Sequence, residues 1–197
     1  MFYFLSHTHM KKFKLFSILG IALLSCTLLA GCNDNNGGLE VIEIDNSDVI
    51  AYNDALVDIA SQCYDAEEAI WTAYEAEDGE AMQSAVDSTI SACQNTIEQL
   101  QSVEAWEEDS SLKDAIIPVI EKEIEYCDNF HGLVEFLWAD LDNLSEEDAT
   151  RYEAVVAQFD TILSEIDEAN NDLASVQETF AANHGYELEV EEEVVVE

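Results

Sequence analysis

Along most of this chain, hydrophobic residues recur at steps of three and four, the spacing of one face of an α-helix. Four long segments carry the pattern. The first, from about Asn46 to Glu77, places Val49, Leu56, Cys63 and Ile70 seven residues apart, with Tyr52, Ile59, Ala60 and Tyr74 beside them. The second, from about Glu80 to Trp106, carries Met82, Val86, Ile90, Cys93, Ile97, Leu100 and Val103. Asp78-Gly79 between them is a turn signal, with the glycine suited to ending the first helix. The third segment starts at Ser111, with Asp114 three residues on in a capping-box arrangement. It carries Ile116, Ile120, Ile124, Cys127, Phe130, Val134, Leu137 and Leu141, and Pro118 inside it predicts a kink or a delayed start. The fourth begins at Ser145, with Asp148 in the same capping relation, and its stripe runs from Tyr152 through Phe159, Ile166 and Leu173 to Phe180. It ends near His184-Gly185. No segment reads convincingly as a strand. Short connections make consecutive long helices antiparallel, so residues 46–184 are expected to form an all-α, up-and-down four-helix bundle behind a flexible N-terminal tether.

The N-terminus changes the picture. Met10-Lys11-Lys12-Phe13-Lys14 is a short basic region, followed by an apolar run from Leu15 to Leu29 and then by small residues. That order is the pattern of a secretory signal peptide, and the run is short for a membrane-spanning helix of about 20 residues. Leu29-Ala30-Gly31-Cys32 resembles the lipobox of bacterial lipoproteins. The resemblance implies that residues 1–31 are removed, that Cys32 is acylated, and that Met10 is the working start. Residues 32–45 then form a polar, Gly-containing tether. Asn33, rather than Asp, follows the cysteine, which by the sorting habit of enteric lipoproteins favours the outer membrane, facing the periplasm or the cell surface. Residues 185–197 read as an acidic tail.

Charge narrows the list of partners. The 197 residues hold 6 Lys and Arg against 44 Asp and Glu, a formal net charge of −38. After Cys32 only Lys113, Lys122 and Arg151 oppose all 44 acids, a net −41. Such a surface excludes nucleic acid as a partner, because phosphates are neutralised by Lys and Arg. It repels itself as well, and salt relieves that repulsion only in part, over a Debye length of about 8 Å. Weak association with divalent cations is expected on the same grounds.

Three cysteines remain in the bundle: Cys63, Cys93 and Cys127. In an antiparallel hairpin, residues equidistant from the turn face each other. Cys63 and Cys93 are equidistant from position 78, and Cys93 and Cys127 from position 110, both at connections between helices. All three are therefore expected near one layer. Export to an oxidising compartment favours a disulfide. Cys63–Cys93 is the first choice, with Cys127 a buried thiol, while Cys93–Cys127 stays open. A three-thiolate metal site is the weaker reading, and none is expected.

Other chemistry is sparse. A di-iron bundle needs Glu-x-x-His on two helices, which this chain lacks. His131 reads as a boundary histidine and His184 as a favourable charge at a helix C-terminus. Neither has a local nucleophile beside it, and no catalytic residue or cofactor is expected. Trp71, Trp106 and Trp138 fall near helix ends and read first as core plugs. Trp106 and Trp138, if exposed, mark the place to look for an interface.

With the lipobox, the four stripes, and Cys63-Tyr64 followed a helix later by Cys93, the chain resembles the YiiG-like bacterial lipoproteins over about Tyr52 to Phe180. That resemblance implies a helical lipoprotein and says nothing of mechanism. The expected function is a membrane-anchored, non-enzymatic interaction or scaffold module that meets another protein of the cell envelope. The alternative is periplasmic binding of cations or a small cationic ligand by carboxylates converging between helices.

Overall fold

The Asp48 carboxylate accepts the Ile50 N–H at 2.9 Å and so starts the first helix, α1 (Val49–Glu75). A computed structural model describes residues 48–186 of the chain. The signal segment, Cys32, the tether and the tail from residue 187 lie outside the described residues. α1 ends where Glu77 takes a left-handed conformation, φ 54°, while the N–H groups of Glu77 and Asp78 bond back to the carbonyls of Tyr74 and Ala73. The left-handed residue is thus Glu77, and Gly79 instead opens α2 (Gly79–Ser102) behind an Asp78 cap. Trp138 lies close over Gly79: a Cβ there would be 3.3 Å from its ring, which would have to shift by a few tenths of an ångström.

α2 stops four residues short of Trp106. Lys113 Nζ donates to the Val103 carbonyl at 2.6 Å, and Trp106 turns inward as a buried plug against Tyr52. Glu107 and Glu108 make the tight reversal with φ of 48° and 73°, between Trp106 and Asp109, which exchange backbone hydrogen bonds. α3 (Ser111–Leu133) is capped one residue earlier than its sequence suggests. Asp109 accepts the Ser111 N–H, and the Ser110 hydroxyl donates to Asp114 Oδ2. Pro118 sits inside α3 without delaying its start, at the cost of one helical N–H.

The third stripe does not continue as an α-helix to Leu141. After Leu133 the chain tightens into a 3₁₀ turn, Val134–Phe136, and a second one follows at Leu141–Asn143. Val134 and Phe136 are both buried in the first of these turns. Asp140 then takes the Asp142 N–H and the Asn143 side-chain amide, the kind of local bonding that competes with helix. α4 (Glu146–His184) opens as expected, with Ser145 Oγ accepting the Asp148 N–H. Gly185, at φ 78°, closes it.

The four helices run up and down, α1 along α2, α2 along α3 and α3 along α4, and no strand occurs among the described residues. The backbones of α1 and α4 approach only at isolated points, so their seam is the loosest side of the bundle. Asp48 and Tyr186 share the base, while the α1–α2 turn and the 134–145 connection share the tip, where Trp138 lies over Gly79. The interior divides into two apolar clusters. The basal one joins Tyr52, Leu56, Cys63, Cys93, Ile120 and Phe180, and the upper one centres on Tyr126, Phe130 and Phe159, whose rings lie 5.0–5.4 Å apart.

α3 and α4 meet closely at Gly132, where an added Cβ would come within 2.9 Å of Val155 Cγ2. Overpacking costs about 1–3 kcal/mol, against a helix-propensity gain of about 1 kcal/mol for Gly to Ala. Gly132→Ala is therefore expected to lower stability in urea unfolding by about 1 kcal/mol. In a Val155→Ala background the same change should be stabilising instead, since only the propensity gain remains.

Candidate functional site

The cysteines settle first. Cys63 on α1 and Cys93 on α2 form a disulfide, with their Cα atoms 4.4 Å apart. This is the first of the two pairings left open by spacing. Cys127 is a buried free thiol that packs in the upper cluster rather than with the disulfide. Burial pushes its thiol well above the ordinary range, and the carboxyls of Glu67 and Glu123 add to the shift. A thiol so held is not a thiolate, so Cys127 has little nucleophilic character.

Those two carboxyls are the unanticipated feature of the interior. Glu67 lies on α1 one turn above Cys63, and Glu123 on α3 one turn before Cys127, and both are buried, at 5% and 2% exposure. Burial, and then the negative charge of the neighbouring Glu67, hold Glu123 well above the usual carboxylate range, which favours its protonated form. The hydroxyls of Tyr64 and Tyr126 are shifted upward by burial and by the same two carboxyls, which places all four groups in one polar layer between the clusters. Thr89 joins α2 to α1 nearby, donating to the Ala66 carbonyl at 3.0 Å. Among the described residues no group of three or more His, Cys, Asp or Glu side chains is placed to hold a metal ion. Glu67 and Glu123 do sit at stripe positions, three or four residues from Cys63, Ile70, Ile120 and Cys127. A carboxyl on an apolar stripe is the signal that marks them.

The histidines and the basic side chains tie elements of the fold together. His131 Nε2 lies 3.3 Å from Asp87 Oδ1, between α3 and α2. His184, packed on Phe180 and Trp106, meets Asp109 at 3.1 Å and so ties the end of α4 to the α2–α3 turn. Hydrogen bonds from Ser111, then the His184 contact, hold the Asp109 carboxyl below its ordinary range. Lys122 bridges Glu125 and Glu165 across α3 and α4, and both carboxylates raise its pKa. Arg151 pairs with Glu135 and Asp148 and lies over the Phe136 ring.

One apolar surface is left open at the tip. Trp71 and Trp106 are buried plugs, but Trp138 is 39% exposed and Leu141 42% exposed. Trp138 stacks on Tyr74, with ring centroids 6.2 Å apart and planes 25° from parallel. Of the two tryptophans singled out as interface markers, the structure therefore selects Trp138 and withdraws Trp106.

Two measurements test the interior. The Cys63–Cys93 bond closes a loop of 30 residues, and on the chain-entropy model Cys63→Ser with Cys93→Ser should cost about 3.5 kcal/mol in urea unfolding. The raised Glu123 pKa contributes stability that is fully present below the ordinary Glu range and is lost as pH rises through the raised value. Glu123→Gln keeps the shape and a donor without the titration. Its stability relative to wild type should climb steadily above about pH 4.5. A difference independent of pH between about 4 and 9 would contradict the raised Glu123 pKa.

No family model matches the chain, and neither a curated protein nor a solved structure matches it. The likeness to YiiG-like lipoproteins therefore rests on the residues quoted for it alone.

Proposed function

We propose that the chain is a lipid-anchored, non-enzymatic interaction module of the bacterial cell envelope, tied to the outer membrane through Cys32. Support for the anchor comes from the basic, apolar and lipobox segments in sequence order, and from the likeness to YiiG-like lipoproteins. The Cys63–Cys93 disulfide suits an oxidising compartment. Among the described residues no helix is long and apolar enough to cross a membrane. The observation that carries the interaction reading is the exposed Trp138–Leu141 surface, at the end of the bundle opposite the one where the described chain begins.

Anchoring has a direct test. Mass spectrometry of the protein from native membranes should find Cys32 as the N-terminal residue, carrying acyl chains. Cys32→Ala should leave the protein unprocessed and unlabelled by an alkyne fatty acid. An unmodified Cys32 in mature native protein would overturn the lipoprotein reading. For the interaction, a photocrosslinking residue on the bundle surface should trap an envelope protein in living cells, whereas no adduct from any surface position would argue against a module that acts by contact.

A further inference from the structure

The tip carries more than one exposed ring. Within the two stretches that build it, residues 75–80 and 134–148, there are ten Asp and Glu and not one Lys or Arg. The nearest cation, Arg151, is already engaged by Glu135 and Asp148. Trp138 and Leu141 therefore stand exposed within strongly acidic stretches of the chain. Such a surface selects its occupant by charge. A second copy of this chain would set ten carboxylates against ten, and an anionic bilayer would be repelled in the same way. A basic segment gains on both counts: its ammonium or guanidinium groups meet the carboxylates and the face of Trp138, while its apolar side chains cover Leu141.

We propose that the Trp138–Leu141 tip is a docking site for a cationic amphipathic segment of a partner protein, one with Lys or Arg on one helical face and aliphatic residues on the other. This names the partner chemistry for the interaction module above and rests on that reading. The carboxylates steer the encounter, and the stacked Trp138–Tyr74 pair and Leu141 provide the apolar contact. Gly79 belongs to the device, because its missing Cβ lets Trp138 settle over the α1–α2 turn.

The test titrates the full chain in neutral detergent with an 18-residue Lys/Leu helical peptide, following tryptophan fluorescence and heat. Trp71 and Trp106 are buried, so Trp138 is the tryptophan open to change. Saturable 1:1 binding is expected, weakening at least tenfold in Leu141→Ser and in Trp138→Ala and unchanged in Ile50→Ser, an exposed apolar site at the base. Leu141→Ser is read with Trp138→Ala because the latter also removes packing on Gly79; thermal melts check that both stay folded. Oligolysine of equal charge should bind at least tenfold more weakly than the amphipathic peptide. The proposal is overturned by an absence of saturable binding, by equal affinity for oligolysine, or by indifference to both tip substitutions. It is equally overturned if Trp138 inserts into zwitterionic vesicles, or if sedimentation shows the tip buried in a dimer. Loss of peptide binding while crosslinks to an envelope protein persist from another face would reject the tip and spare the module.

Discussion

Carboxylates crowd the water-facing sides of α1, α3 and α4, and the three Lys and Arg among the described residues are already engaged. Lys113 closes the end of α2, Lys122 bridges α3 to α4, and Arg151 fastens the 3₁₀ turn after α3. Cohesion must then come from the apolar faces. Fully burying one Leu, Ile or Phe is worth about 1.5–3 kcal/mol, whereas one like-charge pair on a helix surface costs a few tenths of a kcal/mol. A few buried residues such as Leu56, Ile120, Phe159 and Phe180 outweigh many repulsive surface pairs. The single covalent link between described helices adds to that balance without adding charge.

The polar layer looks at first like a flaw in this arrangement. Two carboxyls are set into an interior that otherwise excludes charge, between a basal and an upper apolar cluster. Burial and the neighbouring Glu67 charge favour the protonated form of Glu123, which lowers the desolvation penalty of setting the two carboxyls between α1 and α3, helices that otherwise meet at few points. Tyr64 and Tyr126 bring hydroxyls into the same layer, and Thr89 links α2 to α1 beside it.

Much of this architecture was legible in the order of apolar residues. Helix number, direction and the cap at Ser145 follow from local periodicity, and equal distances to a turn narrowed the disulfide to two pairings, of which Cys63–Cys93 is the one formed. What periodicity could not register was the tertiary competition for single side chains. Trp106 leaves α2 to plug the base, so that helix ends early, and α3 gives way to a 3₁₀ turn that buries Val134 and Phe136. Gly79 reads as a helix stop but serves as clearance for Trp138, a contact made 59 positions along the chain. Of the candidate site, Trp138 was visible as a tryptophan near a helix end. Its exposure depended on the path of the 134–145 connection, which no repeat in the sequence encodes.

The placement of the one disulfide bears on how the chain matures. Cys63 and Cys93 sit on consecutive helices, and Cys127 follows both. In the proposed exported lipoprotein, with Cys26 removed and Cys32 acylated, delivery N-terminus first presents Cys63 and Cys93 to an oxidase before Cys127 arrives. Joining cysteines in their order of arrival therefore yields the native bond directly, with no mispaired species for an isomerase to reshuffle. Once α3 docks, Cys127 is walled off from exchange, and the oxidised hairpin is locked in.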